Sequence, residues 1–204
     1  MRDALNRLIY LFICCVSLQC WVMDTFEAIL ARKSVRAYEP KPVPKEVLEK
    51  ILEAGLMAPS AGNIKPWRFI VVTDADKRNV ISRGPFAKFV TQAPVVIVAC
   101  GDSKASAKWH VVDVSIAVEN MVLAATSLGL GTCWIGGFIE NEVRKLLEIP
   151  EQFKIVVLLS VGYPRKKVDL GRALIKLVRR RKKLDEIVSV EKFGEKYTPI
   201  SSAS

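Results

Sequence analysis

Gly129-Leu130-Gly131-Thr132-Cys133-Trp134-Ile135-Gly136-Gly137-Phe138 is the stretch on which the fold turns. Ahead of it, residues 111–128 carry few charges and read as a long central helix, covered on most sides and ended by Gly129. Residues 131–136 then read as a short strand with Cys133 a buried small hydrophobe and Trp134 a candidate core residue, and Gly136 and Gly137 read as the turn that follows it. The same alternation runs outward in both directions. Residues 24–32 read as a first helix, opened by Asp24 with Glu27 three positions later, the capping-box pattern. Residues 44–57 read as a second, with Pro44 in its first turn and Val47, Leu48, Ile51, Leu52 and Leu56 on one face. Residues 67–73, 94–100 and 154–161 are short, β-rich and almost continuously apolar, as buried strands are, and residues 140–147 read as a helix stopped by Pro150. The phosphate-binding pattern Gly-x-Gly-x-x-Gly does not occur, which excludes the dinucleotide-binding βαβ unit. The implied architecture is α+β, three layers α/β/α, with a mostly antiparallel central sheet flanked by helices.

The chain has 204 residues, half of them hydrophobic, enough for one good core, and it reads as a single domain with no room for a second. Its net charge of +10 suggests nucleic acid until it is located. Residues 1–163 hold 19 Lys/Arg against 16 Asp/Glu, whereas residues 164–183 hold ten against one. The basicity is therefore a local tract. That tract spaces Leu170, Leu174, Leu177 and Val178 helically among its cations, but it has no interleaved aromatics to stack bases, so nucleic acid is excluded as a partner. A solvated helix packed on the domain is the preferred reading, and contact with an anionic membrane the less favoured one. The five cysteines form no CxxC pair, and the only histidine is His110. The pattern offers no metal site, no disulfide framework and no hydrolytic triad with a G-x-S-x-G elbow.

Residues 8–22 are almost wholly apolar behind Arg2 and Arg7. This resembles a signal-peptide core or a short membrane anchor, yet the run is short for a span and no small-x-small cleavage site follows it. The preferred reading is an N-terminal extension, residues 1–22, ahead of a natural start at Met23. Cytoplasmic placement follows from that reading.

Two further segments carry chemistry. Ala31-Arg32-Lys33-Ser34-Val35-Arg36-Ala37-Tyr38 gathers three cations and a hydroxyl within five residues, a set that can surround a dianionic phosphate. Ala58-Pro59-Ser60-Ala61-Gly62-Asn63-Ile64-Lys65-Pro66-Trp67 places small residues, a hydroxyl and a carboxamide in a turn, which lets backbone approach a flat heterocycle and read its edge.

Together with 129–138 and Val161-Gly162-Tyr163-Pro164, these segments resemble the FMN-dependent nitroreductase family. The likeness runs from about residue 23 to residue 193, which leaves 194–204 as a tail. It implies the nitroreductase-like fold and an enzyme that takes hydride from NADH or NADPH and passes electrons to a small electrophilic acceptor, such as a nitroaromatic or a quinone. By resemblance Arg32, Lys33 and Ser34 hold the FMN phosphate, with Arg179 and Arg181 adding two cations. Arg36 sits beside the N1 to O2 edge of the ring, where a fixed cation raises the reduction potential. Ile135, Gly136 and Gly137 offer backbone N–H near N5. The family's homodimers share two flavin sites across their interface, so Pro59, Ser60, Ala61 and Asn63 reach the flavin bound mainly by the other subunit. No catalytic acid or base is implied, since the acceptor is reduced directly. Residues 168–178 lengthen the chain relative to the family pattern, and Lys183 stands where a proline is usual. The alternative of another class is a membrane-surface or partner-binding protein acting through 8–22 and the 165–183 basic helix.

Overall fold

The computed structural model describes residues 23–165 and 182–197. The chain divides into two compact units at residues 166 and 167. The first is built on a four-stranded antiparallel sheet in the order β1-β2-β4-β3, with β1 Trp67–Val72, β2 Val95–Asp102, β3 Gly131–Ile135 and β4 Phe153–Gly162. Helices α1 Thr25–Ala31, α2 Lys45–Leu56, α3 Ala75–Ile81, α4 His110–Ser127 and α5 Glu140–Leu146 surround it. Described residues of the second unit contain α6, Leu184–Ile187, and a bridge between Ser189 and Lys196.

Alternation along the central strands creates the three layers. On β2, Val95, Ile97 and Ala99 join Trp67, Val157, Leu159 and Val161 beneath α2 and α4, which contribute Ile51, Val114, Ala117, Val118 and Met121. Val96, Val98 and Cys100 face the opposite way and pack with Ile81, Val90, Ile135, Val143 and Leu158. Both faces of β2 and of most of β4 are therefore dry, which explains why these strands read as continuous apolar runs. The β2–β4 register slips between Ala99 and Cys100, which pair with Val157 and Ile155. This bulge puts Ile155 on the same side as Leu158.

The helix ends follow their local chemistry. Asp24 caps α1: its carboxylate accepts from the Glu27 amide at 2.7 Å, and the Glu27 side chain accepts from the Asp24 amide at 3.1 Å. Pro44 stands at the N-cap of α2 rather than inside its first turn. One sequence expectation needs correction: Trp134 faces outward and is 38% exposed, one residue out of phase with buried Cys133 and Ile135. Helix α4 is buried or half-buried along most of its length, with Val111, Val112 and Ile116 exposed in its first two turns.

Buried ionisable groups give the fold an alkaline limit. Burial pushes the Cys100 thiol up to about 11, with Arg144 pulling down and Glu140 pushing up more weakly. Burial likewise raises the Tyr38 phenol above its usual range, opposed by its bond to Ser160. Between about pH 9 and 11 the unfolded chain releases the Cys100 proton while the folded chain holds it, so stability falls as pH rises. The expected slope is about 1.4 kcal/mol per pH unit for that group in that window. Urea midpoints measured from about pH 8 to 10.5 should decline, and Cys100→Ala should flatten part of the decline; a flat wild-type profile would contradict the assignment.

Candidate functional site

The segment that follows α1 is laid across the ends of β3 and β4. The Val35 amide donates to the Thr132 carbonyl at 2.8 Å, the Glu39 amide to Tyr163 at 2.9 Å, and the Arg165 amide to Ala37 at 2.9 Å. Ser34 and Thr132 form a parallel bridge, and Tyr38 pairs with Pro164. Tyr38 locks the segment from below: buried at 2% exposure, its hydroxyl donates to the Val35 carbonyl and also bonds the Ser160 hydroxyl, both at 2.7 Å. Consequently the backbone between Ser34 and Tyr38 is held at both ends. Burial raises the Cys133 thiol, and the Arg36 guanidinium and Ser34 hydroxyl beside it oppose that shift. Cys133 is thus a buried thiol, as its apolar neighbours on β3 suggest.

Arg32, Lys33 and Arg36 are exposed and Ser34 is half-buried. Arg32 Nε pairs with Glu119 Oε1 on α4 at 3.6 Å, an exposed contact. Lys33 and Arg36 have no ion pair among the described residues. The segment therefore presents cationic charge that the described chain only partly answers.

At the far end of β3 lies the turn at Gly136 and Gly137. Four residue steps along a strand advance roughly 13 Å, so one short strand carries the cationic segment near its start and the glycine turn at its end. A Cβ placed on Gly136 would meet nothing within 4 Å, so the space above the turn is open. On Gly137 a Cβ would lie 2.5 Å from the Pro85 carbonyl oxygen, and on Gly84 it would lie 2.5 Å from the Gly137 oxygen. The turn is thus clamped by backbone from one direction and free in the other.

The loop of residues 59–63 is a separate device. Ala61–Asn63 form one 3-10 turn in which Gly62 and Asn63 take φ of 58° and 55°, and Lys65 follows at 54°. Ser60 closes the loop: its hydroxyl accepts from the Lys65 amide at 2.9 Å and its carbonyl from the Asn63 amide at 2.9 Å. The Ala61 amide donates to Asp113 Oδ1 on α4 at 3.1 Å. Pro59 and Asn63 are exposed, and Ser60 and Ala61 half-buried.

The structure thus joins Arg32, Lys33, Ser34 and Arg36 to Ile135, Gly136 and Gly137 through β3. Within one chain, the 59–63 loop is attached instead to α4. Arg179 and Arg181 lie outside the described residues, as do residues 1–22 and most of the basic tract. Sequence reasoning did not single out Asp113, Glu119, Tyr38 with Ser160, or the Gly84–Pro85 clamp. A lone acid in the apolar run 110–118 was the available signal for Asp113.

The residues present fit a phosphate-bearing flat cofactor. The cations are exposed, only Arg32 among them is in an ion pair among the described residues, and the space over Gly136 is open. Among the described residues, Phe26, Ile29 and Leu30 on α1 and Val111, Val112 and Ile116 on α4 are exposed apolar side chains. No helix among the described residues is long and apolar enough to cross a membrane.

The nitroreductase family model matches residues 29–83 and 80–163. An Archaeoglobus fulgidus protein designated, provisionally, an NADH dehydrogenase/NAD(P)H nitroreductase is 38% identical over 159 residues, covering 74% of this chain and 91% of its own length. The crystal structure of a similarly designated Parabacteroides distasonis protein is 40% identical, with a TM-score of 0.68, over 70% of this chain and 88% of that one. An FMN-dependent nitroreductase from Clostridium difficile is 32% identical, with a TM-score of 0.63, over 69% and 87%. With a family model across both halves of the sheet and the same fold at about two-fifths identity, the chain belongs to the nitroreductase family, a family of oxidoreductase enzymes.

Proposed function

We propose that the protein is an FMN-dependent oxidoreductase that draws hydride from NADH or NADPH and reduces a small electrophilic acceptor such as a nitroaromatic or quinone in a ping-pong cycle. The observation that carries the reading is the placement of the 32–36 segment and the open Gly136 turn at opposite ends of β3. When bound, FMN would supply the acceptance of hydride from the nicotinamide and its onward delivery to the acceptor.

The chain's own residues hold and tune. Arg32, Lys33 and Ser34 would grip the phosphate, helped by Arg179 and Arg181. One ion pair at about 4 Å contributes about 4 kcal/mol at an effective dielectric near 20 before desolvation, so two or three retain the group firmly. Arg36, held by the Val35 and Tyr38 bonds on either side, would place positive charge at the ring edge that gains electron density. Ile135, Gly136 and Gly137 would offer backbone donors without a side chain over the ring face. Pro59, Ser60, Ala61 and Asn63 would reach the flavin of the second subunit, which makes a homodimer with shared sites the working unit. The apolar surface of α1 and α4 supports that assembly.

The test is the visible spectrum of the purified protein, recorded anaerobically before and after NADH or NADPH. Flavin bands that bleach with one donor identify both cofactor and donor, and a colourless protein that takes up no FMN would overturn the reading. Arg32→Ala should raise the FMN dissociation constant about 10–100-fold, the worth of one charge-assisted hydrogen bond of about 1.5–3 kcal/mol. Folding should barely change, because the exposed pair with Glu119 contributes only about 0–1 kcal/mol. An unchanged dissociation constant would remove Arg32 from the phosphate site.

A further inference from the structure

Asp113 is 3% exposed, yet it uses only half of its carboxylate. Oδ1 accepts the Ala61 amide at 3.1 Å, and Oδ2 is buried with no hydrogen-bond partner among the described residues. An unpartnered buried oxygen costs roughly 1–3 kcal/mol, so an apolar residue of the same shape would serve the core of α4 better. Asp113 lies among Val114, Ala117 and Val118, and its position in the first turn of α4 offsets part of that cost through the helix dipole.

What the carboxylate does hold is the 59–63 loop. That loop carries left-handed backbone at Gly62, Asn63 and Lys65, a conformation that persists only where surroundings over-determine it. Its Ser60 bonds to Asn63 and Lys65 close it on itself and do not fix it to the fold. The Asp113–Ala61 bond ties it to α4. The same helix, six residues or about 9 Å further on, pairs Glu119 with Arg32. Helix α4 thus reaches both candidate cofactor segments from one rigid element, and its exposed side carries Val112 and Ile116.

We propose that Asp113 is a positioning residue: through the Ala61 amide it sets the 59–63 loop at the place from which the loop reaches the flavin, at a cost to the stability of α4. The flavin part rests on the function proposed above. Asp113→Leu keeps the side chain's branched shape and removes both the acceptor and the orphaned oxygen, and Asp113→Asn keeps an acceptor for Ala61.

Three readouts on wild type and both variants test it: thermal midpoint, hydrogen exchange of residues 58–66 without flavin, and the FMN dissociation constant. Asp113→Leu should melt at the same temperature or higher. Its Ala61 amide should exchange at least tenfold faster while β2 and β4 are unchanged, and FMN should bind about tenfold more weakly. Asp113→Asn should restore exchange and affinity to within about threefold of wild type. A residue that merely supports the core would instead lower the midpoint and speed exchange in the sheet as well, which would overturn the proposal. So would unchanged loop exchange in Asp113→Leu, or Asn behaving like Leu. If wild type takes up no FMN, the cofactor reading falls while the exchange data still judge the Asp113–Ala61 anchor. If FMN binds and the loop loosens without loss of affinity, the positioning role falls and the cofactor reading stands.

Discussion

Gly84→Ala is expected to lower stability by about 1–3 kcal/mol and to slow hydride transfer by more than tenfold, although residue 84 belongs to none of the cofactor-binding motifs. The added Cβ would lie 2.5 Å from the Gly137 oxygen and 2.6 Å from the Phe138 Cα. Both are backbone atoms, so no side chain can swing aside and one segment must move. Overpacking of this kind costs about 1–3 kcal/mol. The reverse approach is equally tight, since a Cβ on Gly137 would meet the Pro85 oxygen, so the strain falls on the turn proposed to face N5. Misplacing such donors by about 1 Å costs on the order of 100-fold in rate.

Gly136→Ala is the informative contrast. Its Cβ meets nothing within 4 Å, so stability from urea unfolding should stay within about 0.5 kcal/mol of wild type, while FMN binding weakens because the methyl occupies the open space over the turn. Urea titration and anaerobic stopped-flow reduction on both variants decide the matter. If Gly84→Ala leaves stability and rate unchanged, the clamp is not rigid. If Gly136→Ala binds FMN normally, the ring does not lie over that turn.

Gly131→Ala should uncouple the cationic segment from β3. Its Cβ would come within 2.5 Å of Val35 Cγ2 and 2.8 Å of Val35 Cβ. Val35 is buried at 8% exposure and, being β-branched, has little rotamer freedom with which to yield. The backbone must lift, and the 2.8 Å hydrogen bond from the Val35 amide to Thr132 is the first to break. We expect stability to fall by about 1–3 kcal/mol together with weaker FMN binding, as Ser34 and Arg36 move with the backbone. Val35→Ala alone should cost about 1.6 kcal/mol for two methyl groups. The double variant should be clearly more stable than the sum of the two changes, because the small side chain makes room for the new methyl. Strict additivity of the urea results would show that the two residues do not press on each other.

Much of the fold was legible because burial on both faces leaves a plain mark. The strands expected at 67–73, 94–100, 131–136 and 154–161 all formed, their ends moved by no more than two residues. The capping box at Asp24 and Glu27 was likewise complete in the local sequence. Helix α3, by contrast, passed unread: Ala-Asp-Lys-Arg-Asn-Val-Ile buries only Ile81, and its one local sign was Asp74, whose carboxylate caps the Lys77 amide at 2.8 Å.

The sequence by itself determined the layered α+β class, the family, and the cationic, glycine-turn and loop segments, because each depends on residue types at short spacing. Only the tertiary structure decided which segments share an element. Ser34 lies beside Thr132 because the backbone donor of Val35 finds an acceptor nearly a hundred residues away. Asp113 meets Ala61, and Glu119 meets Arg32, across separations of the same order. Such pairings belong to closed hydrogen bonds and packed side chains rather than to periodicity. They join the cationic and glycine-turn segments through β3 and brace the loop on α4.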